Sequence, residues 1–342
     1  MDVGFLLAAR LDLELFSRLG SASGDEPAAL APPPTPPSPT WIHDAARTVA
    51  QHQRSGHAER AWPLLRVLEP LLPQLEMHDP ASAGRVLGAL ATQALLEGDF
   101  EAFLDRARRA AAAFDHAGEA STASRERASL GAGYRQLGAW DDAERALRAA
   151  IAASGADGSV TALARLDLAR VLTACGNAAE ARALAEESAA IFARGKDGAG
   201  EGAARAWLAG LLAMAGDGGA VTEARRALDL LSRSPAGRAF AGAALARALL
   251  AEGSIAAALE AAEAAHDEMK ALGRLDEGEV MVRLALVDAR RAAGDGAGAA
   301  AALGEARRGV LADAAKLRDP ALRRAFLEAV PEHRRALAGS GT

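Results

Sequence analysis

The chain has 342 residues, of which 50% are hydrophobic and 25% are charged, and its formal net charge is −6. This acidic balance argues against general affinity for nucleic acid, because proteins that bind phosphates normally carry an excess of cations. The apolar residues are mostly Ala and Leu, and aromatic residues make up only 4%, so the composition favours helices over strands.

The N-terminus gives no sign of export or membrane insertion. It lacks the basic region of a signal peptide, and no apolar run approaches the roughly 18 residues that a membrane span requires. The single cysteine, Cys175, excludes an intramolecular disulfide and fits a reducing compartment. We therefore expect a cytoplasmic protein that does not associate with membranes.

The first 40 residues differ from the remainder of the chain. Residues 1–20 predict one short amphipathic helix that ends at Gly20. Half of the 14 prolines then fall between Pro27 and Pro39. Proline restricts φ and removes a hydrogen-bond donor, so residues 21–40 predict an extended, disordered linker.

From residue 41 onward, a glycine recurs between two Ala- and Leu-rich stretches of helical period. The intervals between successive glycines are 42, 40, 38, 40, 37 and 41 residues. A period of this length is typical of helical repeat arrays, in which each unit buries its apolar face against its neighbours. The turn glycines are Gly56, Gly98, Gly138, Gly176, Gly216, Gly253 and Gly294.

The unit around the third glycine carries the most distinctive alternation of large and small residues. Close crossing of two helices needs small residues at the contact and larger ones that fill the remaining space. The residues in this pattern are Leu130, Gly131, Tyr134, Gly138, Trp140, Ala143, Leu147 and Ala150. The pattern resembles the tetratricopeptide repeat (TPR), and the other units are more divergent copies.

The resemblance implies an all-α fold, a right-handed α-solenoid of about seven helix-turn-helix repeats of roughly 40 residues each. The array is expected to cover residues 41–315. Helix A of each repeat precedes the turn glycine, and helix B follows it.

Residues 316–336 predict a further helix at the end of the array. Asp319 and Pro320 suit a helix start, and Leu322, Phe326 and Val330 recur every four residues. The helix either caps the last repeat or serves as a docking motif. The segment is similar to the one that closes TPR regions of large bacterial signalling proteins.

We find no sequence pattern that predicts catalysis. The chain has no phosphate-binding loop in a strand-turn-helix context, and its seven histidines form neither an HExxH motif nor a pair four residues apart. We therefore expect no enzymatic activity, no metal and no cofactor.

In TPR arrays, helix A lines the concave groove, and the resemblance carries these positions over to residues on several A helices. The groove would be apolar with scattered arginines, suited to an acidic or amphipathic peptide. The alternative is that the arginines only solvate the surface. The groove positions predicted in this way are Arg125, Arg135, Leu166, Arg170, Phe240, Arg247 and Asp288.

These features favour a non-enzymatic TPR scaffold that binds a protein or peptide partner in its concave groove. The alternative is a sensor or regulatory module of a bacterial signal-transduction system that recognises a peptide or small effector. A hydrolase or transferase built on a helical ring is a third, less favoured, interpretation. The sequence indicates neither the identity of the partner nor the oligomeric state.

Overall fold

The computed structural model describes residues 37–54, 58–155, 158–273 and 278–338. The helix predicted for residues 1–20, the linker up to residue 36 and the turn glycine Gly56 lie outside the described residues. Within the described ranges the regular structure is helical, and no strand is present.

The helices follow one another in a single series, with a 3₁₀ turn at Glu69–Leu71 between the second and third. In chain order they are α1 (Pro39–Arg54), α2 (Ala58–Leu68), α3 (Leu72–His78), α4 (Pro80–Leu96), α5 (Phe100–His116), α6 (Ala120–Gln136), α7 (Trp140–Ala153), α8 (Gly158–Ala174), α9 (Ala178–Arg194), α10 (Gly198–Met214), α11 (Ala220–Leu230), α12 (Pro235–Ala251), α13 (Ile255–Ala271), α14 (Glu279–Ala292), α15 (Gly296–Ala314), α16 (Pro320–Glu328) and α17 (Pro331–Leu337).

Seven of the helix pairs are the predicted repeats. The A helices are α1, α4, α6, α8, α10, α12 and α14, and each packs against the B helix that follows it, with α3 lying between repeats 1 and 2. Successive A helices also pack against one another, as α10 does against α12. The predicted all-α helical solenoid is confirmed.

Within a repeat, the short turn between helix A and helix B caps both helices. In repeat 2, Gly98 has a φ of 76°, a left-handed conformation that glycine adopts without steric cost. The amide of Gly98 donates to the carbonyl of Leu95, and that of Asp99 donates to Ala94, the two bonds of a Schellman motif. The Asp99 carboxylate then accepts from the amide of Ala102 at 3.0 Å and caps the next helix. One short turn therefore satisfies both helix ends.

The crossing of α6 and α7 shows why the units need small residues. Ala143, Leu147 and Ala150 are fully buried, with Tyr134 and Trp140 packed against the same cluster. Two further observations show how near the two helices come. An added Cβ atom at Gly131 of α6 would lie only 2.5 Å from Cγ of Leu147 in α7. Ser124 Oγ of α6 donates a hydrogen bond to the carbonyl of Ala150 in α7 at 2.6 Å. Leu130 is buried in a neighbouring cluster, and Gly138 forms the turn with a φ of 73°.

The structure differs from the predicted boundaries at both ends of the array. Helix α1 begins at Pro39, inside the predicted linker, and buries Trp41 and Ile42. Residues 316–336 form two helices where one was predicted. Val330 adopts an extended conformation (φ −70°, ψ 118°) between them, because Pro331 follows and disfavours a helical conformation at the preceding residue.

We expect Gly131→Ala to lower the free energy of unfolding by about 1–3 kcal/mol, because its methyl group would overpack the contact with Leu147. Gly210→Ala is the matched control, since Gly210 is also helical but has nothing within 4 Å of an added Cβ. That substitution should be neutral or stabilise the protein by up to about 1 kcal/mol. Urea unfolding of both variants measures the difference, and equal effects would contradict the packing argument.

Candidate functional site

A cavity of about 340 Å³ is lined by the C-terminal turns of α6 and α8, by residues along α10 and α12, and by the N-terminal turn of α14. We call it the central cavity. Helices α6, α8, α10, α12 and α14 all contribute to its wall, and the C-terminal helices close one side. Its principal lining residues are Phe100, Arg135, Trp140, Arg170, Trp207, Phe240, Arg247, Met281, Phe326 and His333.

Two of the predicted arginines are held in place by a buried carboxylate. Arg170 is only 8% exposed, and its guanidinium lies 3.4 Å from Asp167 one turn earlier on α8. Arg135, from the preceding repeat, reaches the same carboxylate at 3.2 Å. The pairing of two arginines with one buried carboxylate orders both side chains and offsets the cost of removing the charges from water.

Arg170 also links three repeats through aromatic contacts. Its guanidinium carbon lies 5.5 Å from the centre of the Trp207 ring and 5.8 Å from that of Phe240. These distances allow cation–π attraction. Because the side chain is buried between Asp167 and two rings, its first role is to hold the cavity wall.

Arg247 is in a different position. It is partly buried and lines the central cavity and a smaller neighbouring one of about 140 Å³. Within the described part of the chain, its guanidinium has no ion pair and no hydrogen bond. Asp288 and Glu332 line the small cavity with it, but neither forms an ion pair with Arg247 among the described residues. A cation that lacks a carboxylate partner is suited to an anionic group on a bound segment.

The other predicted groove residues lie outside the central cavity. Arg125 is exposed and lines a second cavity, also of about 340 Å³, formed by the N-terminal repeats. Asp288 lines the small cavity and forms an ion pair with Arg335 of α17. Both therefore face the concave side, but at different points from the four cavity residues Arg135, Arg170, Phe240 and Arg247.

Leu166 was predicted to line the groove and instead lies in the core. It is 1% exposed and packs in a cluster with Phe192 and Ala203. The position ten residues before the turn glycine is buried in other repeats as well. Ala128, Ala243 and Leu284 are at most 4% exposed. On an A helix, this position lies beside the residues that face the cavity, and its side chain points toward the adjoining repeats.

Sequence reasoning missed several residues that shape the cavity. Asp167 orients the two arginines, and Trp207 comes from a repeat for which no groove position was assigned. The i, i+3 spacing of Asp167 and Arg170 was an available signal. The contributions of Phe326 and His333 had no local signal, because they come from the C-terminal helices.

His333 is partly buried against Phe326, with ring centroids 4.2 Å apart. Its Nδ1 lies 2.8 Å from the Phe326 carbonyl oxygen, so the proton must reside on Nδ1 for the bond to form. Burial lowers the pKa of His333. The Phe326 carbonyl and the carboxylates of Glu332 and Asp313 oppose that shift. The imidazole is therefore neutral at pH 7.

In the described residues, no three His, Cys, Asp or Glu side chains are grouped so that they could hold a metal ion. None of the described helices combines the length and apolar character needed to cross a membrane.

No protein-family model and no curated protein matches the sequence. Among solved structures, the chain is similar to the Rap protein complexed with competence and sporulation factor. That match has a TM-score of 0.59 and 9% identity, and it covers 96% of this chain and 94% of that one. The fold is the TPR fold.

Two further TPR-fold matches agree with this assignment. A chain of the APC/C hetero-tetramer Cut9–Hcn1 matches with a TM-score of 0.53 and 15% identity, covering 94% of this chain and 60% of that one. BtubC from P. vanneervenii matches with a TM-score of 0.50 and 19% identity, covering 68% of this chain and 91% of that one.

We expect Arg170→Met to destabilise the TPR array by about 1–3 kcal/mol, because Asp167 would lose one of its two partners in a buried setting. Arg247→Met should change the free energy of unfolding by less than about 0.5 kcal/mol, since no partner is left behind. Chemical denaturation compares the two. Equal losses would contradict the separate roles that we assign to these arginines.

The pKa of His333 predicts a loss of stability in mild acid. Above its ordinary value of 6.5, both the folded and the unfolded states are neutral at this residue. Below that value the unfolded chain takes up a proton that the folded state resists, so stability falls as the pH decreases. Thermal unfolding between about pH 5 and 8 should show a steeper decline for the wild type than for His333→Asn. Burial also lowers the pKa of His266. Because His266 is present in both proteins, its effect cancels in the comparison. Parallel pH profiles would refute the prediction.

Proposed function

We propose that the protein is a non-enzymatic TPR scaffold that binds a segment of another protein, or a peptide, in the central cavity. We place this activity in the cytoplasm, without metal, cofactor, nucleic acid or membrane.

The distribution of aromatic residues carries the proposal. The chain has eight Phe, four Trp and one Tyr, and five of these thirteen residues line the central cavity. Elsewhere the repeats pack mostly through Ala and Leu. Large rings in a core normally fill space, whereas here they surround a volume of about 340 Å³. Apolar walls with a few polar groups are typical of binding sites. The rings are Phe100, Trp140, Trp207, Phe240 and Phe326.

The charges in the cavity indicate the chemistry of the partner. Arg135 and Arg170 are already paired with Asp167, while Arg247 has no carboxylate partner among the residues that the structure describes. A segment that places an apolar side chain against Trp207 and Phe240 would bring an adjacent carboxylate to Arg247. We therefore propose an amphipathic segment with at least one acidic residue next to a large apolar one.

A solved protein of similar fold supports a role in binding. The Rap protein was solved in complex with competence and sporulation factor. At 9% identity, this similarity concerns the fold alone, and the residues proposed here come from the cavity of the present chain.

Selection from a library of displayed random peptides on the full-length protein tests the proposal. Peptides that bind should share an acidic residue beside a large apolar one. Fluorescence anisotropy of the selected peptides should show binding at least about tenfold weaker for Arg247→Glu, because a charge-assisted hydrogen bond becomes a repulsion.

Arg225→Glu provides a matched control. Arg225 is exposed on the B helix α11 and does not line the central cavity, yet its substitution changes the net charge by the same amount. Its affinity for the selected peptides should equal that of the wild type. Equal losses in the two variants would indicate a general charge effect. Undiminished binding to Arg247→Glu would exclude the central cavity.

A further inference from the structure

The C-terminal segment, residues 317–337, does not simply cap repeat 7. It returns across the inside of the curve and contacts the start of α5 in repeat 2, more than 200 positions away in sequence. The amides of Arg318 and Asp319 donate to Oε1 of Glu101 at 2.7 and 2.8 Å. The guanidinium of Arg318 reaches both carboxylate oxygens of Asp99 at 2.8 Å.

We call these contacts of Arg318 and Asp319 with Asp99 and Glu101 the latch. Apolar contacts accompany it. Leu317 is 1% exposed and lies in a cluster with Leu95, Phe103 and Leu137 from repeats 2 and 3. At the turn of repeat 3, a Cβ atom on Gly138 would lie 2.7 Å from the carbonyl oxygen of Ala325. The segment therefore seats closely on a surface formed by two early repeats.

The other end of the segment is attached to repeat 7. Ala336 is fully buried and packs with Val310 of α15. Arg335 forms an ion pair with Asp288 of α14. The two attachments hold α16 between them, beside the central cavity.

Helix α16 itself is held much less firmly than its ends. None of its residues is buried. Apart from the contact of Ala325 with the turn at Gly138, its apolar side chains Leu322, Phe326 and Leu327 pack as partly buried residues against neighbouring clusters. Elements with few buried contacts and exposed ion pairs belong to the part of a structure that opens most easily. The Arg318 side chain, which is 71% exposed, illustrates how solvent-accessible the latch is.

The segment also forms one side of the central cavity while it is in place. Phe326, Val330 and His333 line the central cavity together with Trp207 and Phe240. An external segment that reaches those rings therefore meets the C-terminal segment at the same place.

We propose that the C-terminal segment is an intramolecular ligand of the groove, which closes the central cavity and is displaced when an external segment binds. This inference rests on the proposed function. The apparent affinity for a partner is then reduced by the fraction of molecules that are open, and weakening the latch raises it.

The first experiment detects opening without any partner. Spin labels on Asp105→Cys and Arg324→Cys, both exposed positions, are introduced in a Cys175→Ser background and their distance is measured by pulsed electron resonance. The intact latch should give one short distance. Arg318→Glu should add a longer one and raise amide exchange in Pro320–Glu328 by about tenfold, with α8 and α10 unchanged.

Arg145→Glu is the matched control, because Arg145 is 74% exposed and its one ion pair among the described residues is with Asp142 in its own helix. It should leave both measurements unchanged. Phe326→Ala, which removes the aromatic contact of α16, provides a second variant that weakens closure without altering the latch charges. If neither Arg318→Glu nor Phe326→Ala changes the distance or the exchange, the inference is overturned.

The second experiment uses peptides selected on the wild-type protein. Arg318→Glu should bind them about fivefold or more tightly. A synthetic peptide of residues 316–338 should compete with them on that variant. Opening without any gain in affinity would refute the competition and leave the proposed function standing. Opening with no peptide bound by either protein would refute the proposed function and, with it, the competition.

Discussion

The close approach of successive A helices is the constraint on which the remaining structure depends. A helices contact the A helices of neighbouring repeats directly, as α6 does with α8 and α10 with α12, whereas successive B helices share few contacts. Small residues make this approach possible, including Ala128 and Ala243, which are almost fully buried. Each repeat is therefore narrower on its A side. The array curves with the A helices inside, and that curvature both encloses the central cavity and brings repeat 7 back toward repeat 2.

The local features of this arrangement can be predicted from the sequence because they depend on a few neighbouring residues. A glycine at φ between 68° and 86° permits the Schellman turn, and six of the predicted turn glycines, from Gly98 to Gly294, adopt such a positive φ. Asp99, Asn177 and Asp295 then cap the following helix through their side chains, as their positions indicate. Asp217 and Ser254, at the same position in their repeats, are exceptions: Asp217 accepts from the amide of Gly219, after which α11 begins, and Ser254 makes no side-chain cap bond to α13. The repeat count and fold class follow from these turns.

The groove was less predictable, because an A helix in this array is packed on most of its circumference. In α8 the apolar residues are distributed around the helix, so the hydrophobic pattern does not distinguish the cavity face from the faces toward other helices. Counting back from the turn glycine placed Arg170, Phe240 and Arg247 on the cavity. The same counting assigned Leu166 to the groove. Leu166 lies four residues from Arg170 on α8 and three from the position that corresponds to Phe240, so its side chain is rotated by about 40° and about 60° from those two cavity positions. That rotation is enough to turn it from the cavity toward the next repeat.

The return of the C-terminal segment could not be read from local sequence at all. The spacing of Leu322 and Phe326 indicates an amphipathic helix. The surface on which that helix packs, however, depends on the curvature that accumulates over five repeats. The kind of contact also matters. The turns and crossings depend on burial, whereas Arg318 reaches Asp99 and Glu101 through exposed ion pairs, which are weak in water and are weakened further by salt. The same protein thus combines a repeat array held by close packing with a closing segment that is anchored by exposed charges and by the buried Leu317 and Ala336, and whose helix α16 buries no residue. That limited burial is what allows the segment to exchange without disturbing the repeats.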